Sequence, residues 1–173
     1  MSLRVPVKAS PGDRVAVLSP SFAAPAVAPA VHEQAMLRLK DLTGLIPVEF
    51  PTTRLIDASP QHRAQDINSA FADPDIKAVL ATIGGTDQIT VIPHLDAQLI
   101  HDNPKIFIGY SDNTNLHNWL WQQGITSFYG GSTQVQLSPG PFVDAIHADS
   151  LRAALITGGE LELTNPGESE DFG

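Results

Sequence analysis

Short apolar runs alternate along the chain with stretches of helical spacing. Arg14-Val15-Ala16-Val17-Leu18-Ser19-Pro20 follows a Pro11-Gly12-Asp13 turn. Its unbroken apolar core predicts a strand buried on both faces, stopped at Pro20. Over residues 29–42 the period becomes helical. Val31, Ala35, Leu39 and Leu42 share a face with Met36 alongside, and Gly44 supplies the stop. Residues 46–50 read as a second strand. Ser59 is placed to cap a helix opening on Pro60, whose inner face carries Ala64, Ile67, Ala70 and Phe71 as far as Ala72. Asp73-Pro74-Asp75 breaks that helix. Residues 76–83 then form a third strand that runs into Gly84-Gly85-Thr86-Asp87. Residues 91–99 read as a short helix, broken near its start by Pro93. Lys105-Ile106-Phe107-Ile108-Gly109 is the central strand. Residues 113–123 form a helix burying Leu116, Trp119 and Leu120 and ending at Gly124. A strand at 125–129, a helix capped by Ser150 and running through Ile156, and a strand at 160–164 complete the expected elements.

Strands alternating with helices predict an α/β fold, a mostly parallel sheet flanked by helices on both faces. Ligands of such sheets sit at the carboxyl ends of the strands. Three polar loops fall at that edge: 19–21, 84–87 and 110–113. At 173 residues the chain suits one compact domain with a sizeable core. Residues 165–173 are polar, acidic and Gly-containing, and read as linker.

The strand ending at Gly109 delivers Ser111 onto the start of a helix. That is one way to expose a serine nucleophile, and the backbone N–H groups of the turn can stabilise an oxyanion. Gly84-Gly85 lets backbone approach a ligand closely and could supply the other half of an oxyanion hole. Each has a plainer reading. Ser111 fits a helix N-cap with Asp112 favouring the helix dipole, and Gly84-Gly85 fits an ordinary strand-to-helix turn. On local pattern alone the plainer readings weigh more. Asn113 stands where the G-x-S-x-G elbow has its second glycine, so this is not the standard α/β-hydrolase form. No phosphate-binding glycine motif occurs at a strand end.

Composition narrows the chemistry. Ten Lys+Arg against nineteen Asp+Glu give a formal charge of -9, which argues against nucleic acid and anionic membrane surfaces as partners. With no cysteine there is neither disulfide, thiolate zinc site nor cysteine nucleophile. No apolar run approaches the roughly 18 residues of a membrane span. Arg4, Lys8 and Arg14 precede an Ala- and Val-rich stretch, but Pro11-Gly12-Asp13 and Ser19-Pro20-Ser21 interrupt it, unlike a signal peptide. His32, His62, His94, His101, His117 and His147 are scattered without metal-ligand spacing. They are expected at the surface or at helix edges, and no metal or cofactor is expected. His117, six residues past Ser111, projects from a different helix face. The serine therefore lacks an evident base.

Taken in order, the local signals resemble a known family. Thr82-Ile83-Gly84-Gly85, Asn103-Pro104-Lys105-Ile106-Phe107-Ile108-Gly109-Tyr110-Ser111-Asp112 and Phe128-Tyr129-Gly130 are similar to the N-terminal domain of the S66 serine peptidases. These are the L,D-carboxypeptidases of peptidoglycan recycling and the related microcin C immunity proteins. Supporting stretches are Val17-Leu18-Ser19-Pro20-Ser21, Pro51-Thr52-Thr53-Arg54, Arg63-Ala64-Gln65-Asp66-Ile67-Asn68 and Phe71-Ala72-Asp73-Pro74-Asp75. The resemblance covers about residues 12–164 and overturns both plainer readings.

It implies a class I glutamine amidotransferase-like, flavodoxin-like domain at 1–164 with the inter-domain linker starting at 165–173. The triad Glu and His would belong to a C-terminal domain outside this chain. Ser111 is implied as nucleophile, the Asp112 and Gly85 backbones as oxyanion hole, and Gly84, Thr86 and Tyr110 as substrate contacts. The implied substrate is a muropeptide or another small peptide-like molecule, in the cytoplasm. A missing second half would leave apolar surface exposed, so a homodimer, or contact with a separately encoded second half, is expected. Ile83 stands where the muropeptide carboxypeptidases carry Arg, as in the microcin-immunity-like branch. Asp87-Gln88 stands where that branch carries Ser-Asn. The rivals are a non-catalytic small-ligand or peptide-binding domain, and a self-sufficient hydrolase recruiting His117.

Overall fold

The computed structural model describes residues 3–162. Five strands form one sheet: β1 (Arg14–Leu18), β2 (Ile46–Glu49), β3 (Ile76–Ala81), β4 (Ile106–Gly109) and β5 (Phe128–Tyr129). Their order is β2-β1-β3-β4-β5, and every pairing is parallel. Helices α1 (Ala24–Val27), α2 (Pro29–Thr43), α3 (Pro60–Ala72), α4 (Ala97–Asp102), α5 (Thr114–Gln122) and α6 (Ala145–Arg152) connect and cover them. This is the expected α/β architecture with flavodoxin-type strand order.

The apolar strands are continuous because alternate residues feed two cores. Ala16, Leu18, Val79, Ala81 and Phe107 face Ala64, Ile67 and Phe71 of α3 and Leu116 and Leu120 of α5. Val15, Val17, Ala78, Leu80, Ile106 and Ile108 face Ala35 and Leu39 of α2 and Leu151 of α6. A one-residue register slip would exchange the two sets. The order reverses between β1 and β3, so the crevice above their carboxyl ends is the topological switch point.

Ser59 caps α3 as expected, accepting the His62 N–H at 3.2 Å, and Gly44 ends α2 at φ 72°. Several local expectations are corrected. α2 buries His32, Ala35, Leu39 and Thr43 and leaves Val31 exposed, because its first turn packs His32 beside Glu49 at the end of β2. Residues 88–94 form two 3-10 turns, and α4 starts only where the Asp96 side chain accepts the Leu99 N–H. Pro93, with no N–H to donate, suits the short turn. The strand expected over 125–129 is paired in the sheet only at Phe128–Tyr129, while Ile125 bridges to Arg4. Ser150 lies inside α6 and caps nothing: the helix opens after Asp144 and continues into a wide π-type turn at Ala153–Thr157. An unforeseen turn of the same type, Thr133–Leu137, is capped by Ser132, which accepts the Val135 N–H at 3.1 Å. Residues 160–162 are not a strand; 163–164 and the expected linker at 165–173 lie outside the described residues.

Lys105, at the entry to β4, is buried and donates to the carbonyls of Asp73 and Ile76, the latter at 2.5 Å. Burial lowers its pKa to about 8 from the model-compound 10.5. The unfolded chain therefore binds the extra proton between those values, and stability rises with pH across that window. The gain is complete above 10.5 and is lost as pH falls through 8. Lys105→Met is expected to flatten this rise, measured as denaturation free energy at pH 7.5 and pH 10.

Candidate active site

β4 ends at Gly109, Tyr110 stays extended (φ -151°, ψ 179°), and the chain then turns at Ser111 with φ 59°. Among the described residues Ser111 is the one non-glycine residue with positive φ. A left-handed conformation costs an L-residue about 1–2 kcal/mol and persists only where its surroundings impose it. Here the Ser111 N–H donates to the Tyr129 hydroxyl at 3.1 Å, and its carbonyl accepts from Thr114 Oγ1 at 2.6 Å. Among the described residues its Oγ makes no hydrogen bond. Residues Ser111–Asn113 form a 3-10 turn that leads into α5.

Gly84 packs directly on this turn. A Cβ added there would lie 2.8 Å from Ser111 Cβ, 3.0 Å from Ser111 Oγ and 3.2 Å from the Asp112 nitrogen. At Gly85 a Cβ would overlap Ser21 Oγ. Glycine is required at both positions by close approach rather than by positive φ. Among the described residues no group takes the N–H of Gly85 or of Asp112. Thr86 is exposed beyond them. Tyr110 is half-buried, and its carbonyl accepts from the Asn113 N–H (3.2 Å) and Asn113 Nδ2 (3.1 Å).

A buried polar network that the sequence did not reveal fixes the turn from behind. Asn113 is fully buried and donates through Nδ2 to Ile83 O at 3.0 Å. Its Oδ1 accepts from Gln88 Nε2 at 2.6 Å, and Gln88 Oε1 accepts the Leu116 N–H at 3.1 Å. The Asp112 carboxylate accepts from the Gln88 N–H (2.9 Å), Asn115 Nδ2 (3.0 Å) and Ser21 Oγ. Gln88, read in the sequence only as a departure from a family pattern, is thus the buttress of both Asn113 and α5.

His117 supports the strand end and is not placed as a base. Gly109 O can only accept, so Nε2, 2.9 Å away, carries the proton; Nδ1 then accepts from Ser127 Oγ at 2.7 Å. Burial holds its pKa below the usual histidine value. The ring lies between Phe107 (4.9 Å) and Tyr129 (5.6 Å). His62, His94, His101 and His147 are exposed as expected, but His32 is fully buried. His32 Nε2 lies 3.3 Å from Glu49 Oε1 but too oblique for a hydrogen bond, and burial lowers its pKa despite that carboxylate.

The remaining fastenings fall in the stretches that carried the family resemblance. Ser19 Oγ donates to Thr53 O (2.7 Å) and therefore accepts from Thr82 Oγ1 (2.8 Å). Asp66 accepts the Thr52 N–H at 2.7 Å and its hydroxyl at 2.6 Å. A cavity of about 700 Å³ lies between β5 and α6, lined by Lys8, Phe128, Leu151 and Tyr129 among others. It shares Tyr129 with the serine turn, but none of the candidate site residues lines it. The site itself is the shallow crevice at the strand ends.

A family model described as the LD-carboxypeptidase N-terminal domain, Peptidase_S66, matches residues 15–130. The chain belongs to the S66 peptidase family. A Vibrio cholerae protein named provisionally as a carboxypeptidase is 36% identical over 124 residues, which are 69% of this chain and 37% of that protein. The murein tetrapeptide carboxypeptidase of Pseudomonas aeruginosa is 32% identical over 135 residues, 73% of this chain and 42% of that protein. The microcin C7 self-immunity protein MccF of Escherichia coli is 42% identical over 71 residues, 40% of this chain and 21% of that protein. A structure of MccF with aspartyl sulfamoyl adenosine superposes with a TM-score of 0.79 at 29% identity, covering 89% of this chain and 48% of that one. The chain thus spans less than half the length of these relatives. The family match takes in Gly84, Gly85, Ser111, Asp112 and the network behind them. Among the described residues no helix is long and apolar enough to cross a membrane.

Proposed function

We propose that this chain is the nucleophile-bearing part of a serine carboxypeptidase that opens an L,D-peptide (muropeptide) bond or a microcin C-like acyl or peptidyl amide. The observation that carries the reading is the left-handed Ser111 turn packed against Gly84, with the Asp112 and Gly85 N–H groups unpartnered among the described residues. Ser111 Oγ attacks the substrate carbonyl carbon. The two N–H groups hold the resulting oxyanion where charge develops. Gly84 leaves room for the tetrahedral centre, and Thr86 and Tyr110 border the acyl group. Collapse expels the amine, which takes up the serine proton, and water hydrolyses the acyl-enzyme.

The proton acceptor is a histidine oriented by a glutamate, both outside residues 1–173. His117 cannot serve, since both of its ring nitrogens are engaged. The domain boundary near residue 164, the cytoplasmic setting and the homodimer belong to the same proposal. A second reading, a small-ligand or peptide-binding domain without catalysis, draws on the Ser111 Oγ, which makes no hydrogen bond among the described residues.

A fluorophosphonate probe separates the two. On the full-length protein it should form one adduct, mapping to Ser111 by peptide mass spectrometry, with release of D-amino acid or of the sulfamoyl nucleoside from substrate. Absence of both labelling and hydrolysis would favour the binding domain.

A further inference from the structure

We propose that the Arg63–Asp87 ion pair is a positioning device that sets the spacing between the two oxyanion-hole amides, Gly85 N–H and Asp112 N–H. The inference rests on the serine-hydrolase reading above and adds to it residues that touch no substrate.

The two amides belong to different loops. Gly85 follows β3, and Asp112 follows β4. The loop after β1 lies between them through Ser21, so that in chain order the first loop follows β1, the second β3 and the third β4. Three links close these loops into a triangle. Ser21 Oγ donates to the Asp112 carboxylate, which joins the first loop to the third. The Gln88 N–H donates to the same carboxylate at 2.9 Å, which joins the second to the third. Arg63 joins the first to the second: Nη1 donates to Ser21 O at 2.8 Å and to Asp87 Oδ1 at 2.9 Å, and Nη2 donates to Asp87 Oδ2 at 2.9 Å.

The triangle is tight at the point that matters. Ser21 presses on Gly85 so closely that no side chain fits between them. The Phe22 N–H donates to Gly84 O at 3.3 Å, so movement of the first loop carries the glycine pair with it. Arg63 itself is fixed. It stands in the first turn of α3, behind the Ser59 cap, and its side chain is only 6% exposed. A planar fork that grips a carboxylate and a carbonyl together is a task for arginine that the single ammonium of lysine does not reproduce. Asp87 keeps its charge in this grip, since Arg63 holds its carboxyl below the usual aspartate range.

Asp87 is the safer residue to change, because its side chain is 55% exposed whereas Arg63 is buried. In the full-length protein, Asp87→Asn keeps the shape and removes the charge; Arg63→Lys keeps the charge and removes the fork. Displacement of a catalytic donor by about 1 Å can cost roughly 10²-fold in rate. Both variants are expected to lower kcat by about 10- to 100-fold with KM within about 2-fold. Hydrogen–deuterium exchange should rise at least several-fold in peptides covering 19–22 and 84–88 and stay unchanged in the β4 peptide 106–109. Unchanged exchange in both loops of Asp87→Asn, or unchanged kcat in an enzyme that labels at Ser111, would overturn the proposal. The exchange comparison reads the loops without catalysis. If wild type neither labels nor hydrolyses, the hydrolase reading fails, and with it the assignment to an oxyanion hole, while exchange still decides whether the ion pair ties the loops.

Discussion

Ser111→Ala in the full-length protein is expected to lower kcat by about 10⁴-fold or more while leaving the fold intact. The loss follows from removing the atom that forms the acyl bond. What remains, the two amides and the binding surface, supports only weak residual catalysis. Because the Ser111 Oγ bonds nothing else among the described residues, its removal leaves no buried partner unsatisfied. Stability should therefore change little in Ser111→Ala, whose β-carbon keeps the cost of φ 59°. Ser111→Gly should be equally inactive but more stable than Ser111→Ala by about 1 kcal/mol, because glycine enters the left-handed region without that cost. Chemical denaturation of the two variants side by side checks this. Equal stabilities would mean that the turn is not strained, and retained hydrolysis in either variant would remove Ser111 from the mechanism.

The strained turn also explains what could be read from the sequence and what could not. β3 and β4 were legible because they are buried on both faces, so their apolar runs are continuous, and the glycines and polar loops that follow sit at fixed offsets from the strand ends. That pattern alone places Gly84, Gly85, Ser111 and Asp112 at one edge. The buttress behind them was not legible. Gln88, Asn113 and Arg63 are polar residues buried by partners between 24 and 42 positions away. No local periodicity marks such a residue as buried. His32 misled for the same reason: a histidine one place from an apolar stripe reads as a helix-edge residue until β2 brings Glu49 against it. The weak β5 pairing and the Thr133–Leu137 turn lie where apolar runs are too short to fix a period. Ser150 shows the limit of capping rules. Its residue type fits a cap, but the helix had already begun after Asp144.

Gly84→Ala is expected to lower kcat by about 10²–10³-fold, close to the effect of removing an oxyanion-hole donor outright. The added methyl would sit 2.8 Å from Ser111 Cβ and 3.2 Å from the Asp112 nitrogen, inside the space the tetrahedral centre needs. Ser111 cannot move aside freely, because Tyr129 holds its N–H and Thr114 its carbonyl. Either the turn shifts, which displaces both nucleophile and amide, or the methyl occupies the hole. The overpacking should also cost about 1–3 kcal/mol of stability. Gly85→Ala makes a contrasting partner, because its methyl meets Ser21 Oγ rather than the serine turn. Ser21→Ala removes that oxygen, so it should recover part of the activity lost in Gly85→Ala and none of that lost in Gly84→Ala. The kcat values of the two single glycine variants and their two combinations with Ser21→Ala test this. Equal rescue of both would mean that the glycines act through one loop, and that Gly84 has no direct role beside the nucleophile.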